Sequence, residues 1–242
     1  FLQDDDNELR GLIKNKERVS LITIKGSLFR RKVFRFLFEQ VLFPIKCKRL
    51  KIEIIYSLHY TMPYFTKIKR IVNIPDMTFY IFPQMHRKIK VLYFRLLIPL
   101  SLKKSTKIVT ISESTKRDIL TRFKIDSETV KVIHMGVDQL LEAGDKKKKD
   151  KYLTKYHLHE KKYFLFVGTL EPRKNIVNIL KAYHSLKNSG KGDLNDFKLV
   201  IVGMKGWFFK KIFETVTNFN LQRDVIFTGY VNEEEKHILL KH

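Results

Sequence analysis

Short apolar runs alternate along this chain with longer stretches in which apolar residues recur at helical spacing. Apolar runs separated by helical patterns are typical of parallel β-sheets that are covered by helices on both faces. We therefore predict an α/β protein built from parallel sheets. The predicted strands cover residues 19–24, 52–56, 71–74, 108–111, 130–133, 163–167, 199–202 and 225–228.

The most polar stretch, EAGDKKKKDK at residues 142–151, separates the first five predicted strands from the last three. We interpret it as part of a linker between two domains. The predicted organisation is a Rossmann-like domain over residues 1–141, a linker or hinge over 142–160, and a second Rossmann-like domain over 161–242. Two such domains facing across a cleft would bind ligands at the carboxyl ends of their strands.

The segment YFLFVGTLEPRKNI, residues 163–176, carries the most specific chemical signal. It predicts a buried strand, Gly168, a loop with Arg173 and Lys174, and a helix with Asn175 as its N-cap. Two cations beside a helix N-terminus favour the binding of a phosphate or diphosphate. A solvated Arg-Lys pair in an ordinary βα turn is the alternative, and Glu171 either orients Arg173 or faces water.

Small or polar residues follow most of the other predicted strands. Ser112 is interpreted as the N-cap of the helix after the 108–111 strand. The strand-ending residues are Asp76, Ser112 and Gly136 in the first half and Gly168, Gly203 and Gly229 in the second. These positions converge on the edge at which an α/β sheet binds its ligand.

The charge of the chain is strongly positive. Its 242 residues include 48 Lys and Arg against 25 Asp and Glu, a formal net charge of +23. Such an excess favours anionic partners: nucleic acid, an anionic membrane surface, or nucleotide-sugar and lipid-phosphate substrates. The single cysteine, Cys47, excludes an internal disulfide and fits a reducing compartment.

Two segments combine basic residues with apolar residues at helical spacing, at 28–43 and 85–104. In the second segment Leu92, Leu96 and Leu100 share one helical face. One interpretation is an interfacial surface that rests on anionic lipid. The other, which we favour, is a pair of core helices whose apolar faces are buried. No apolar stretch reaches the roughly 20 residues that a membrane-spanning helix needs.

Six segments occur in a recognisable order. They are IVNIPDMTF at 71–79, KIVTISESTKRDIL at 107–120, VKVIHMGVD at 130–138, GTLEPRKNI at 168–176, FKLVIVGMKGW at 197–207 and VIFTGYV at 225–231. Over residues 33–242 the chain resembles the family 4 glycosyltransferases, which are retaining enzymes with the GT-B fold. Each motif is weak alone, but their common order and spacing make the resemblance specific.

The resemblance implies transfer of a sugar, with retention, from a nucleoside-diphosphate donor to a glycan or lipid-linked acceptor. It slightly favours a GDP-mannose-like donor and places the enzyme in cell-surface polysaccharide or lipopolysaccharide synthesis. Such an enzyme would be cytoplasmic, at the inner face of the cell membrane. Arg173 and Lys174 would stabilise the charge on the departing diphosphate, so neither a metal ion nor a cofactor is expected.

The resemblance also assigns further site residues. The donor-binding residues would be Gly168, Thr169, Gly203, Gly229, Tyr230 and Val231. The residues on the acceptor side would be Asp76, Ser112 and Gly136. His59, which follows a predicted strand near the presumed cleft, is a further acceptor-side candidate, and the alternative is a packed or capping histidine.

The chain departs from the family pattern at several points. Pro75 stands where relatives have the His of a His-Asp motif, and Met135 stands where they have Asn. The family's initial Gly-rich loop and its C-terminal acidic motif are missing, so we expect a fragment truncated at both ends and inactive by itself. Two alternatives stay open: a non-catalytic glycosyltransferase remnant and a basic nucleic-acid-binding protein. The second is weaker, because the cations are spread along the chain without a nucleic-acid-binding signature.

Overall fold

The predicted alternation of strands and helices is present, and every strand pair among the described residues is parallel. The computed structural model describes residues 2–3, 22–24, 32–136, 146–158, 162–189 and 196–242. The chain divides into two compact units, Phe1–Gly136 and Val137–His242. The domain boundaries expected from the sequence stay a prediction.

In the described part of the first unit, a parallel sheet has the order β3 (Ile54–Ser57), β4 (Lys69–Asn73), β5 (Lys107–Thr110) and β6 (Val130–Val132). Val72 pairs with Ile108 in the register of β4 and β5, and neither side chain is exposed to solvent. A separate parallel pair joins β1 (Leu2–Gln3) to β2 (Thr23–Ile24). The rest of the predicted strand at 19–24 lies outside the described residues, apart from residue 22.

The helices described in the first unit lie before β3 or between the strands β4, β5 and β6 along the chain. They are α1 (Lys32–Leu37), a π-helical segment (Phe38–Leu42), α2 (Phe43–Arg49), α3 (Thr78–Ile81), α4 (Lys88–Lys104) and α5 (Glu113–Arg122). Gln40 in the π-helical segment is buried; its Nε2 donates to Met62 O at 3.0 Å and its Oε1 accepts from Tyr64 N at 2.8 Å. These two bonds attach the helical segment to the loop that follows β3, because they satisfy buried backbone groups there.

The expected burial of the leucine face of α4 is wrong. Leu92 and Leu96 are 62% and 61% exposed, and Leu100 is also exposed. The opposite face of α4 enters the core through Ile98 and Leu102. The helix has apolar residues on both faces, so its sequence period does not identify the face that packs against the sheet.

In the second unit the described strands form a parallel sheet in the order β7 (Tyr163–Val167), β8 (Lys198–Val202) and β9 (Val225–Gly229). The prediction that β7 is a buried strand is wrong, since Phe164 and Val167 are exposed. The buried strand is β8, whose Val200 and Ile201 are fully covered. The difference arises because β8 has a paired strand on each side, whereas β7 pairs with β8 alone among the described strands.

Four helices are described in this unit: α6 (Lys146–Lys155), α7 (Ile176–Lys187), α8 (Lys210–Asn218) and α9 (Glu233–Lys241). The segment interpreted as a linker therefore contains α6. Its Leu153 and Tyr156 pack against Leu239 of α9, and the Tyr156 hydroxyl donates to buried Glu235 Oε1 at 2.7 Å. These contacts attach α6 to the second unit.

Candidate functional site

The strand ends of the second unit are joined by backbone hydrogen bonds at the carboxyl edge of the sheet. Gly168 N donates to Val202 O at 2.8 Å, and Gly203 N donates to Gly229 O at 2.9 Å. The three glycines that the sequence analysis identified in this half therefore lie side by side. We call this group (Gly168, Gly203 and Gly229) the glycine edge. Gly229 is the member of this group whose Cβ position is open, so a ligand can approach its main chain closely.

Gly203 is the position at which the two loops come closest. Its φ is +146°, and a Cβ built there would lie 2.0 Å from Gly168 O and 3.3 Å from Thr169 N. Any side chain would therefore collide with the Gly168–Thr169 peptide. Gly206 has the same kind of contact, with a Cβ position 2.9 Å from Thr169 Cγ2, and the sequence analysis missed it. Its signal is the second glycine of GMKG at 203–206.

Arg173 is held in place by a buried carboxylate. Glu171 is 3% exposed, and its Oε1 lies 2.8 Å from Nη2 of Arg173, whose side chain is 34% exposed. Among the described residues no donor is aligned with this oxygen as a hydrogen bond, so the contact is an ion pair. The interpretation that Glu171 orients Arg173 is confirmed, and the alternative that Glu171 faces water is wrong. The guanidinium of Arg173 still reaches solvent.

Lys174 lies beside the glycine edge. A Cβ at Gly168 would be 3.7 Å from Cε of Lys174 and 3.2 Å from Cζ of Phe166. Pro172–Lys174 form a 3₁₀ turn, so Arg173 and Lys174 are consecutive residues of one short loop segment. Of the two cations, Lys174 is the one that lies next to Gly168.

The prediction that the Asn175 side chain caps α7 is wrong. Asn175 stands at the N-cap position, but its side chain makes no capping hydrogen bond and its backbone is left-handed (φ 56°). Asn175 N donates instead to Pro172 O at 3.0 Å and closes the 3₁₀ turn. Asn tolerates this backbone better than most residues, which is the physical reason for its use here. The buried face of α7 consists of Ile176, Leu180 and Tyr183.

The loop after β9 contributes an open backbone and an aromatic ring. Gly229 has φ +73°, and no heavy atom lies within 4 Å of its Cβ position. Tyr230 is 74% exposed, whereas Val231 is buried in the core with Leu239. The side chain of Val231 is therefore covered, and Val231 can contact a ligand only through its backbone. Exposed Met204 and Phe208 follow β8 and add apolar surface to this edge, which the sequence analysis did not anticipate.

The predicted acceptor-side residues stand after the strands of the first unit, and two of them are engaged in local hydrogen bonds. Asp76 Oδ1 accepts from Thr78 N at 2.9 Å and from Thr78 Oγ1 at 2.6 Å. His86 Nε2 lies 3.0 Å from the same hydroxyl, so a buried histidine that sequence reasoning missed joins Asp76 through Thr78. The N-cap prediction for Ser112 is confirmed, because its Oγ accepts from Thr115 N at 3.1 Å.

Two loops of this edge are tied together, since Thr115 Oγ1 donates to Pro75 O at 3.2 Å. His59 follows β3 with an exposed side chain. Partial desolvation and then the charge of Arg35 lower the pKa of His59, while the charge of Asp76 opposes this shift. His59 is therefore neutral near pH 7. Gly136 follows β6, and a Cβ there would meet no atom within 4 Å.

Within the described ranges, no three His, Cys, Asp or Glu side chains are grouped so as to hold a metal ion. Over the same ranges, no helix combines the length and apolar character needed to cross a bilayer.

Comparison with protein families gives one match in each unit. Residues 35–139 match the family model described as Glycosyltransferase Family 4, and residues 145–242 match the one described as Glycosyl transferases group 1. The second match contains the whole glycine edge with Arg173 and Lys174. The first contains His59, Asp76, Ser112 and Gly136.

Curated relatives and a solved structure agree with these matches. The chain is 24% identical to the O-antigen chain mannosyltransferase B of Escherichia coli over 69% of this chain and 43% of that protein. It is 26% identical to the O-antigen chain mannosyltransferase RfbU of Salmonella typhimurium over 77% of this chain and 46% of that protein. The chain thus spans less than half the length of these relatives. Anabaena HepE, solved with UDP and glucose, has a similar fold, with a TM-score of 0.61 and 13% identity over 94% of this chain and 60% of HepE.

Proposed function

The chain belongs to the family 4 glycosyltransferases and has the α/β fold of the GT-B enzymes, and from this premise we propose that its second unit binds a nucleoside-diphosphate sugar. The reaction is transfer of the sugar to a hydroxyl of a glycan or lipid-linked acceptor, with retention at the anomeric carbon. The observation that carries the proposal is that Lys174 lies beside Gly168, and that the preceding residue, Arg173, is held by the buried carboxylate of Glu171.

The chemistry required of this edge is stabilisation of negative charge. As the bond between sugar and diphosphate breaks, charge grows on the leaving group, and fixed cations are most effective when they need no reorganisation. Glu171 supplies that fixation for Arg173, because its buried carboxylate lies 2.8 Å from the guanidinium. Lys174 supplies a second charge beside Gly168.

We assign the remaining donor contacts to the glycine edge. Backbone groups of Gly168, Thr169, Gly203 and Gly229 would meet the phosphates, and exposed Tyr230 would flank the base or sugar. Val231 would act through its backbone. In this proposal the two cations do the work that a divalent ion does in other transferases, so activity is expected without added metal or cofactor.

The names of the relatives bear on which sugar is transferred and on which product is made. Two relatives are O-antigen chain mannosyltransferases, which supports a mannose donor and a role in O-antigen or lipopolysaccharide synthesis. HepE, which has a similar fold, was solved with UDP, so UDP is the alternative nucleotide to test. We propose a GDP-mannose-like donor and a lipid-linked or glycan acceptor, handled at the inner face of the cell membrane.

On the first unit we propose that His59 and Asp76 face the acceptor side. His59 is exposed and kept neutral near pH 7 by its lowered pKa, so it could accept a hydrogen bond from a hydroxyl. Asp76 and Ser112 chiefly shape this edge, because their side chains already bond Thr78 and Thr115. Gly136 would offer uncovered backbone there.

The test is a calorimetric titration of GDP, UDP and ADP into the chain and into a Lys174→Ala variant. We expect one nucleotide to saturate, and the variant to weaken it by about 1.5–3 kcal/mol, the value of a charge-assisted contact. Lys181→Ala is the matched control, because Lys181 is an exposed lysine on α7, away from the turn that carries Lys174, and it should leave affinity unchanged.

Equal affinity of the Lys174→Ala variant and the parent would contradict the assignment of the phosphate loop. Absence of binding to any nucleotide, together with binding to an oligonucleotide that falls steeply with salt, would favour the nucleic-acid alternative. If a nucleotide does bind, incubation with its sugar conjugate and NMR of the product's anomeric proton test transfer and retention.

A further inference from the structure

Helix α4 exposes an apolar stripe that the core does not need. Its Ile89, Leu92, Leu96 and Leu100 are 75%, 62%, 61% and 42% exposed. At 100° per residue these four side chains fall within about 80° of one another, on the side opposite buried Ile98. Four large aliphatic side chains in one row form a contiguous patch of the kind that marks an interaction surface.

The charged residues of helix α4 itself have one sign. The helix sequence KIKVLYFRLLIPLSLKK contains no acidic residue. Lys88 and Lys90 flank the stripe at its start, and Lys103 and Lys104 flank it at its end; all four are exposed. The long side chains of lysines at these positions can extend past the apolar row and reach headgroups at the boundary between apolar and polar layers.

We propose that the outer face of α4 docks on the surface of a lipid bilayer that carries anionic headgroups. The helix would lie in the plane of the interface, with the leucine stripe at the acyl boundary and the lysines among the headgroups. The helix has 17 residues with lysines at both ends, which is short for a membrane-spanning helix. This length and charge fit a helix that lies along the bilayer surface. This proposal does not depend on sugar transfer.

Charge complementarity selects this occupant over a second copy of the chain. Two copies that met through α4 would bring the flanking lysines of both helices together, and like charges in contact cost free energy. An anionic lipid surface pairs with those lysines instead, and each is expected to strengthen binding by about fivefold. The formal charge of +23 for the whole chain acts in the same direction.

The test is co-sedimentation of the chain with vesicles of phosphatidylcholine alone or with 30% phosphatidylglycerol (roughly the charge of an anionic bilayer). We expect binding to the anionic vesicles only, weakened at least tenfold by Leu92→Ser/Leu96→Ser and about fivefold by Lys103→Gln. The control is Leu58→Ser/Leu240→Ser, since Leu58 and Leu240 are 70% and 53% exposed but lie outside α4. Circular dichroism should show the parent fold in every variant, because all the altered side chains are exposed.

A fluorescent label gives a second readout at the helix itself. Cys47 is a buried free thiol, 1% exposed, so a Leu96→Cys variant can be labelled selectively with an environment-sensitive dye. Anionic vesicles should shift its emission to the blue, while the same dye at Leu58→Cys should not respond. Equal binding to neutral vesicles, unchanged binding of Leu92→Ser/Leu96→Ser, no binding at all, or a dimer that this variant dissociates would each overturn the proposal.

Discussion

Replacement of Gly203 by alanine is the sharpest test of the glycine edge. The Cβ would lie 2.0 Å from Gly168 O, at a φ of +146° that side chains rarely adopt. Relief of the collision requires the loops after β7 and β8 to separate, which breaks the bond from Gly168 N to Val202 O and strains the bond from Gly203 N to Gly229 O. Backbone strain of about 1–3 kcal/mol and about 0.5–1.5 kcal/mol for each of the two weakened hydrogen bonds give an expected destabilisation of about 2–6 kcal/mol.

The assay follows from the sequence. Trp207 is the only tryptophan, so guanidinium unfolding followed by its fluorescence reports on the second unit alone. Gly229→Ala is the matched control, because Gly229 has a φ of +73° but nothing lies within 4 Å of its Cβ position. Its free energy of unfolding should fall only by the cost of a left-handed alanine backbone, about 1–2 kcal/mol. If Gly203→Ala were no more destabilising than Gly229→Ala, the contact between the two loops would be refuted.

Two further predictions use the same fluorescence assay. Arg173→Gln leaves the buried Glu171 carboxylate without its cation and should destabilise the second unit by about 1–2 kcal/mol, less than a fully buried pair because Arg173 is 34% exposed; Glu171→Gln in the same chain should restore most of the loss. A loss as large for Lys174→Gln, whose side chain has no ion pair in the described part of the chain, would contradict this reasoning. Desolvation alone would raise the pKa of Asp224, but contacts from Lys198 Nζ (2.9 Å) and Lys187 Nζ (3.2 Å) outweigh it and lower that pKa. The stabilisation by Asp224 is therefore complete above its unfolded pKa of about 3.9 and is lost as pH falls through the lower folded pKa. Asp224→Asn should reduce the loss of stability below about pH 4, and an acid limb as steep as the parent's would refute the assignment.

The sequence was sufficient for features that depend on local pattern. Strands over 163–167 and 225–228 agree with the structure to within one residue, because short apolar runs between helical patterns have few alternatives in an α/β chain. The Ser112 cap and the glycines at the strand ends could also be predicted, since each is fixed by a turn of a few residues. The loop with Arg173 and Lys174 was found for the same reason.

Other features depend on residues that are distant in the chain. That Gly203 must be glycine follows from the position of Gly168 O, which lies 35 positions earlier in the sequence and is brought close by the pairing of β7 with β8. That Glu171 anchors Arg173 follows from its burial, and no pattern of neighbouring residues states which carboxylate will be covered. A buried charge takes the nearest cation as its partner, so the fold decides the pairing.

The sequence by itself therefore determined the order of the elements, the parallel α/β class and the place of the candidate phosphate loop. Tertiary structure alone decided which face of α4 is covered and which strand of the second sheet is buried. Helical period shows that Leu92, Leu96 and Leu100 share a face, but α4 is apolar on both sides. Burial depends on which face meets the sheet, and only the packed chain contains that information.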